Sequence, residues 1–195
     1  MSSRKRPSKL AIETRAAKER VVLSAAADIL SREGPDAFNV RDVAKAVGAS
    51  TMVIYTLFGG RDGLVDAVQR DALDRLAAAF DAVPRRDSLA GLGRLAAEYR
   101  RFALANKEYY FTFSAIGSSR VRESRAFRLL VLAVANCMEK SLLVRATPEE
   151  IANVLWSVVH GVVSLELAGH FTSADAAEAV LARAGGAVLA GLHAR

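Results

Sequence analysis

The chain has 195 residues, 52% of them hydrophobic, with four prolines and a formal net charge of +6; this is enough for one small and one larger unit, and its abundant Ala and Leu favour an all-α fold over sheets. A single cysteine, Cys137, excludes an intramolecular disulfide and suits a reducing cytoplasm; its place in the apolar run Leu129 to Met138 reads as a small core residue. No signal peptide is expected, because the amino terminus has no uninterrupted apolar stretch.

The basic excess is concentrated at the start. Among the first twenty residues, seven cations (Arg4, Lys5, Arg6, Lys9, Arg15, Lys18 and Arg20) face two anions, Glu13 and Glu19, a net +5. Such a cluster attracts phosphate and releases counterions from DNA; Met1 to Lys9 is equally open to reading as a solubilising tail. Pro7 and Ser8 make this part a poor helix start. A first helix is predicted from about Thr14 to Glu33, burying Val22, Ala25, Ala26, Ile29 and Leu30, with Gly34 and Pro35 as its stop.

The stretch VRDVAKAVGASTMVIYTLFG, Val40 to Gly59, is the most informative. Val40, Val43, Ala44 and Val47 recur at helical spacing, and Gly48 supplies the left-handed residue that a tight turn needs. Asn39 and Ser50 are good N-caps for two short helices, with Asp42 placed as in a capping box. Ala44 is small where helices must approach, and Ile54 and Phe58 pin the second helix from within. Thr51, Met52, Tyr55 and Thr56 share its opposite side, the face that a helix-turn-helix puts into the major groove. A helical hairpin buried in a larger bundle has the same spacing.

A fourth helix is predicted from about Arg61 to Val83, ended by Pro84 and the charged turn at Arg85, Arg86 and Asp87. The next, about Ser88 to Ala105, carries Leu92, Leu95, Tyr99 and Phe102 on one side. The segment Asn106 to Phe113 is dense in aromatics and follows a helix end; Gly117 to Ser119 reads as a turn, and a long helix is expected from about Ser124 to Val144. Thr147 then caps a helix with Pro148 at its first position and Glu149 and Glu150 in its first turn.

From Ile151 to Ala168 that helix is apolar nearly all round, interrupted by Asn153, Ser157, His160, Gly161, Ser164 and Glu166. Burial on two sides, against its own core and a partner chain, explains this better than a membrane span, since polar residues lie within the run and basic anchors do not flank it. A last helix, about Ala174 to His193, repeats the pattern with Ala177, Val180, Leu181, Ala184, Val188 and Leu192. The predicted dimer contacts are Val163, Leu167, Val180, Ala184 and Val188, with Gly185 and Gly186 permitting close approach; completion of a monomer core is the competing reading.

The order of parts, NVRDVAKAVGASTMVIYTLFGGRDGLVDAV after a first helix and Gly34, resembles the DNA-binding domain of the TetR family of transcriptional regulators over about Thr14 to Val68. WSVVHGVVSLELAG, Trp156 to Gly169, resembles the WHG-type C-terminal domain of that family. The resemblance implies a DNA-binding domain over residues 1–60, a ligand-binding and dimerisation domain over 61–195, and a dimer through a four-helix interface. It also implies that the fourth helix relays movement between them, and that a palindromic double-stranded DNA operator is released when a small effector binds.

By that resemblance Tyr55 and Arg61 contact phosphate, Ser50 and Thr51 contribute hydroxyls, and Thr51, Met52, Val53 and Thr56 approach base edges, with Asn39 and Arg41 completing the expected DNA-contacting set. Ala49 to Gly60 holds no charged residue, so readout would lean on threonine hydroxyls and apolar contact with thymine methyls. Tyr99, Phe102, Tyr110, Phe113, Met138, Trp156 and His160 are the candidates for an apolar effector pocket; each fits equally as core. No catalytic residue, metal or cofactor is expected: three histidines and one cysteine give no metal spacing or paired nucleophile and base. Glu166 and His170, four apart, are the nearest approach to a metal pair. A helical protein-interaction adaptor is the alternative function, with a metal-dependent enzyme behind it.

Overall fold

The computed structural model describes residues 14–84, 86–114, 119–144 and 146–193. The described residues form ten helices and no strand; an isolated bridge pairs Leu143 with His193. They divide into two compact units. One holds residues 14–72 together with residues 108–114; the other holds Leu73–Lys107 and the described residues from Ser119 onward.

The first unit opens with α1 (Arg15–Ala37), which starts where Thr14 Oγ1 accepts from the amide of Ala17. Val22, Ala26, Ala27, Ile29 and Leu30 are buried; Ala25, expected in that stripe, is half-buried and Ala27 takes its place. Gly34 breaks the helical course at φ 77°, but the expected stop is corrected: helix resumes through Pro35 as far as Ala37. In α2 (Val40–Ala46) the predicted stripe is buried throughout, Val47 included. α3 (Thr51–Phe58) packs on α2, with Ile54 fully buried and Phe58 half-buried. The start of α4 (Arg61–Asp81) adds Leu64, Val68, Gln69 and Ala72 to the buried set. The aromatic segment after Asn106 is itself helical, α6 (Lys107–Ser114), and buries Tyr109 and Tyr110.

In the second unit the end of α4 buries Leu73, Leu76, Ala77 and Phe80. Ser88 caps α5 (Leu89–Ala105) by accepting from the Gly91 amide at 3.0 Å, and Leu92, Leu95, Tyr99 and Phe102 are buried as predicted. A short α7 (Ser119–Glu123) precedes α8 (Arg125–Glu139). The expectation that α8 runs to Val144 is corrected: Ser141 takes φ 56°, and Val144 donates its amide to Leu192 O at 2.8 Å.

α9 (Pro148–Leu167) starts with a complete capping box, Thr147 accepting from Glu150 N while the Glu150 carboxylate accepts from Thr147 N. Helix α10 (Ala174–Gly191) follows, packed on α9, and α5 packs on α8, α9 and α10. By length and composition α9 could cross a membrane. Here Ile151, Ala152, Val159, Val162 and Val163 are instead buried within the fold, and Asn153, Ser157, His160 and Glu166 interrupt the helix. Cys137 is fully buried, and burial pushes its thiol pKa up, so the thiol stays protonated and inert.

Candidate nucleic-acid interface and ligand cavity

In the first unit α3 is packed on α2. Ile54 and the α2 stripe hold its inner side, while Thr51, Met52, Tyr55 and Thr56 are exposed, Met52 to 70% and Tyr55 to 56%. Asn39 accepts from Asp42 N at 3.0 Å and donates Nδ2 to the Asp42 carboxylate at 2.6 Å, so Asp42 answers the cap side chain rather than the cap backbone. Asn39, Arg41, Thr51, Tyr55 and Arg61 line one concavity beside α3.

The turn from α3 into α4 depends on glycine. A Cβ on Gly63 would stand 1.8 Å from Phe58 O, and one on Gly60, whose φ is 119°, would meet the Tyr55 ring at 3.1 Å. Gly60 therefore lets the chain lie against the Tyr55 ring, and Gly63 lets α4 begin directly under the end of α3. Arg61 sits between them: Nε donates to Phe38 O at 3.0 Å, Nη2 to Pro35 O, and Nη1 to Asp62 at 3.2 Å.

In the second unit, Tyr99 of α5 stands edge-on to Trp156 and to His160, with ring centroids 5.0 and 6.3 Å apart, and Phe127 meets Trp156 at 5.9 Å. Tyr99 Oη and His160 Nδ1 share a hydrogen bond at 2.7 Å. Burial pushes the His160 pKa below its ordinary value, which keeps the ring neutral. Beside these rings lies a cavity of about 390 Å³ with Leu92, Gly93, Tyr99, Leu155, Trp156, Leu181 and Gly185 in its wall. At its edge Arg100 binds both oxygens of Glu166 at 2.7 Å and reaches Glu178 and Ala174 O at 3.0 Å, joining α5 to α9 and α10.

Residues 22–68 match the family described as bacterial regulatory proteins, tetR family, and residues 92–187 match the Tetracyclin repressor-like, C-terminal domain. The chain carries a TetR-family DNA-binding domain and a TetR-like C-terminal domain. Solved structures share the fold. A protein of unknown function from Rhodococcus sp. RHA1 superposes with a TM-score of 0.74 at 25% identity, over 95% of this chain and 98% of that one. A TetR family transcription regulator from Marinobacter aquaeolei VT8 does so with 0.74 at 24%, over 92% and 97%. PfmR, a TetR family transcriptional regulator from Thermus thermophilus, gives 0.65 at 20%, over 88% and 98%. No curated protein matches the chain.

Several predicted positions in this TetR-family chain fall differently from expectation. Ser50 occupies the N-cap of α3, yet its side chain makes no capping bond; its carbonyl accepts from Val53 N instead. Val53 is half-buried, which leaves it less surface to offer than Thr51 or Met52. The Thr56 hydroxyl donates to Met52 O at 2.8 Å, so its oxygen is what remains for an outside donor. Arg61, expected at phosphate, has protein acceptors on all three nitrogens and braces the α1–α2 connection. The basic residues before Thr14 and Arg85 lie outside the described residues.

Of the pocket candidates, Tyr99 and Trp156 line the cavity. Phe102, Met138 and His160 are not in its wall: Phe102 is core, Met138 is half-buried on α8, and His160 is engaged with Tyr99. Tyr110 belongs to the first unit and is buried there, and the side chain of Phe113 lies outside those described. Sequence reading misses Leu155, Gly93 and Glu178, whose membership depends on helix angles.

The dimer candidates divide as well. Val163 is fully buried within the chain, which leaves it no surface to offer a partner. Leu167, Ala184 and Val188 are half-buried and Val180 is 41% exposed. Val154 and Leu165 on α9, not predicted, are exposed to 43% and 46%. Glu166 pairs with Arg100, not with His170, whose ring stands edge-on to Phe171.

Proposed function

We propose that this TetR-family transcriptional regulator is a homodimeric repressor that binds a palindromic operator and leaves it when a small apolar effector occupies the C-terminal domain. The observation that carries the reading is the outer face of α3: four exposed side chains without charge, on a helix locked from within and bordered by Arg41. Such a face reads base edges through hydroxyls and methyl contacts, while phosphate attraction comes from Arg41, the basic amino terminus and the charge of Arg61. Tyr55, held against Gly60, supports a hydroxyl contact to the backbone.

The exposed apolar side chains Val154, Leu165 and Val180 support α9 and α10 as the dimer surface, because a monomer gains nothing by leaving them in water. The pattern Trp156, His160, Gly161 supports a WHG-type C-terminal domain, and Tyr99 holding both Trp156 and His160 gives the motif a packing role. We read residues 1–60 as the DNA-binding domain and 61–195 as the regulatory one, working in the cytoplasm without a cofactor or enzymatic step. Sedimentation and footprinting test this together. A dimer protecting two half-sites about one helical turn apart is expected; a monomer, or one protected half-site, would contradict it.

A further inference from the structure

Resting on the reading that the C-terminal domain holds a small effector, we infer that the cavity of the second unit selects a compact apolar body carrying a cationic group and turns away carboxylates. Its wall is built from aliphatic and aromatic side chains, with glycines Gly93 and Gly185 facing open space. Among its lining residues the single ionised side chain is Glu178. Arg100, which touches Glu178, is already matched by both oxygens of Glu166, so the three groups together carry one net negative charge. The Glu178 side chain is 70% exposed while that of Arg100 is 13% exposed; the carboxylate has room to take a second cation without giving up the first.

An ammonium or amidinium group there gains a charge-assisted hydrogen bond, and the half-buried ring of Trp156 stands in the same wall. An anionic group would meet the like charge of Glu178, a repulsion that solvent at this exposed carboxylate weakens. The volume of about 390 Å³ suits a body of fragment size.

Three cages of equal shape separate charge from size: 1-adamantylmethylamine, 1-adamantylmethanol and 1-adamantanecarboxylic acid. Calorimetric titration of the full chain gives affinities, and emission of Trp156, the only tryptophan, reports occupancy of this cavity. The amine is expected to bind about tenfold or more tighter than the acid, the scale of one charge-assisted hydrogen bond, with the alcohol between. Glu178→Gln should bring the three together, and Gly93→Leu, which fills open space in the wall, should weaken all three. Equal binding of acid and amine, a preference that survives Glu178→Gln, or no binding of any cage would overturn the inference. The same cages added to a protein–DNA complex separate this from release: an amine that binds with the expected preference and leaves DNA affinity unchanged sustains the inference and defeats effector release. Release by all three alike does the reverse.

Discussion

Two glycines inside helices give a test in which one substitution has opposite signs. At Gly63 in the first turn of α4, an added Cβ would stand 1.8 Å from Phe58 O, and atoms this close must separate to at least 3.0 Å. The carbonyl at the end of α3 must therefore move by roughly 1 Å, an overpacking that costs about 2 kcal/mol. At Gly93 in α5 an added Cβ meets nothing within 4 Å, so Gly93→Ala gains only helix propensity and the lower entropy of the unfolded chain, about 0.5–1 kcal/mol. Urea unfolding followed by far-ultraviolet circular dichroism compares the two in one experiment. Gly63→Ala should unfold at lower urea than the parent and Gly93→Ala at higher urea. A neutral Gly63→Ala would refute the packing drawn for the α3–α4 turn, and a loss at Gly93 would refute the open wall of the cavity.

Other consequences follow from the second unit. Arg100→Ala leaves the Glu166 carboxylate, whose side chain is 8% exposed, without its bidentate partner, and should destabilise the fold by roughly 3 kcal/mol in denaturant titration. His160 has a folded pKa held below its ordinary value by burial. Its contribution to stability is complete above about pH 6.5, the unfolded value, and is lost as pH falls toward the folded one. Unfolding at stepped pH should show this loss in the parent and a shallower dependence in His160→Gln; equal slopes would contradict it. Thr147→Ala removes the cap of α9 and should cost about 1 kcal/mol in the same measurement.

What can be read from the residues is local. Asn39 capping α2, the valine stripe of α2, Gly34 breaking α1 and the Thr147–Glu150 box all depend on neighbours three or four positions away, and all are legible. The bracing role of Arg61 is not, because its acceptors at Pro35 and Phe38 come from another part of the chain, as does the Arg100 partnership with Glu166. Helix α9 is ambiguous for a different reason. When nearly every position is apolar, periodicity does not say which side faces the protein's own core, so Val163 reads as outward in the sequence while Val154 and Leu165 carry the exposed side. Leu143 pairing with His193 ends the α8 region by a contact fifty residues away, a signal absent from the local sequence, where the apolar run simply continues.

Sequence-selective binding to DNA is the claim on which the account stands, and equilibrium binding to the DNA flanking the protein's own coding sequence tests it most directly, with scrambled competitor, across a salt series, for the parent and for Thr51→Ala with Met52→Ala. The account predicts tight selective binding by the parent, and a double variant that keeps the same salt slope while losing selectivity, since these side chains read bases and not phosphate. Weak, steeply salt-dependent and unselective binding by both proteins would contradict it.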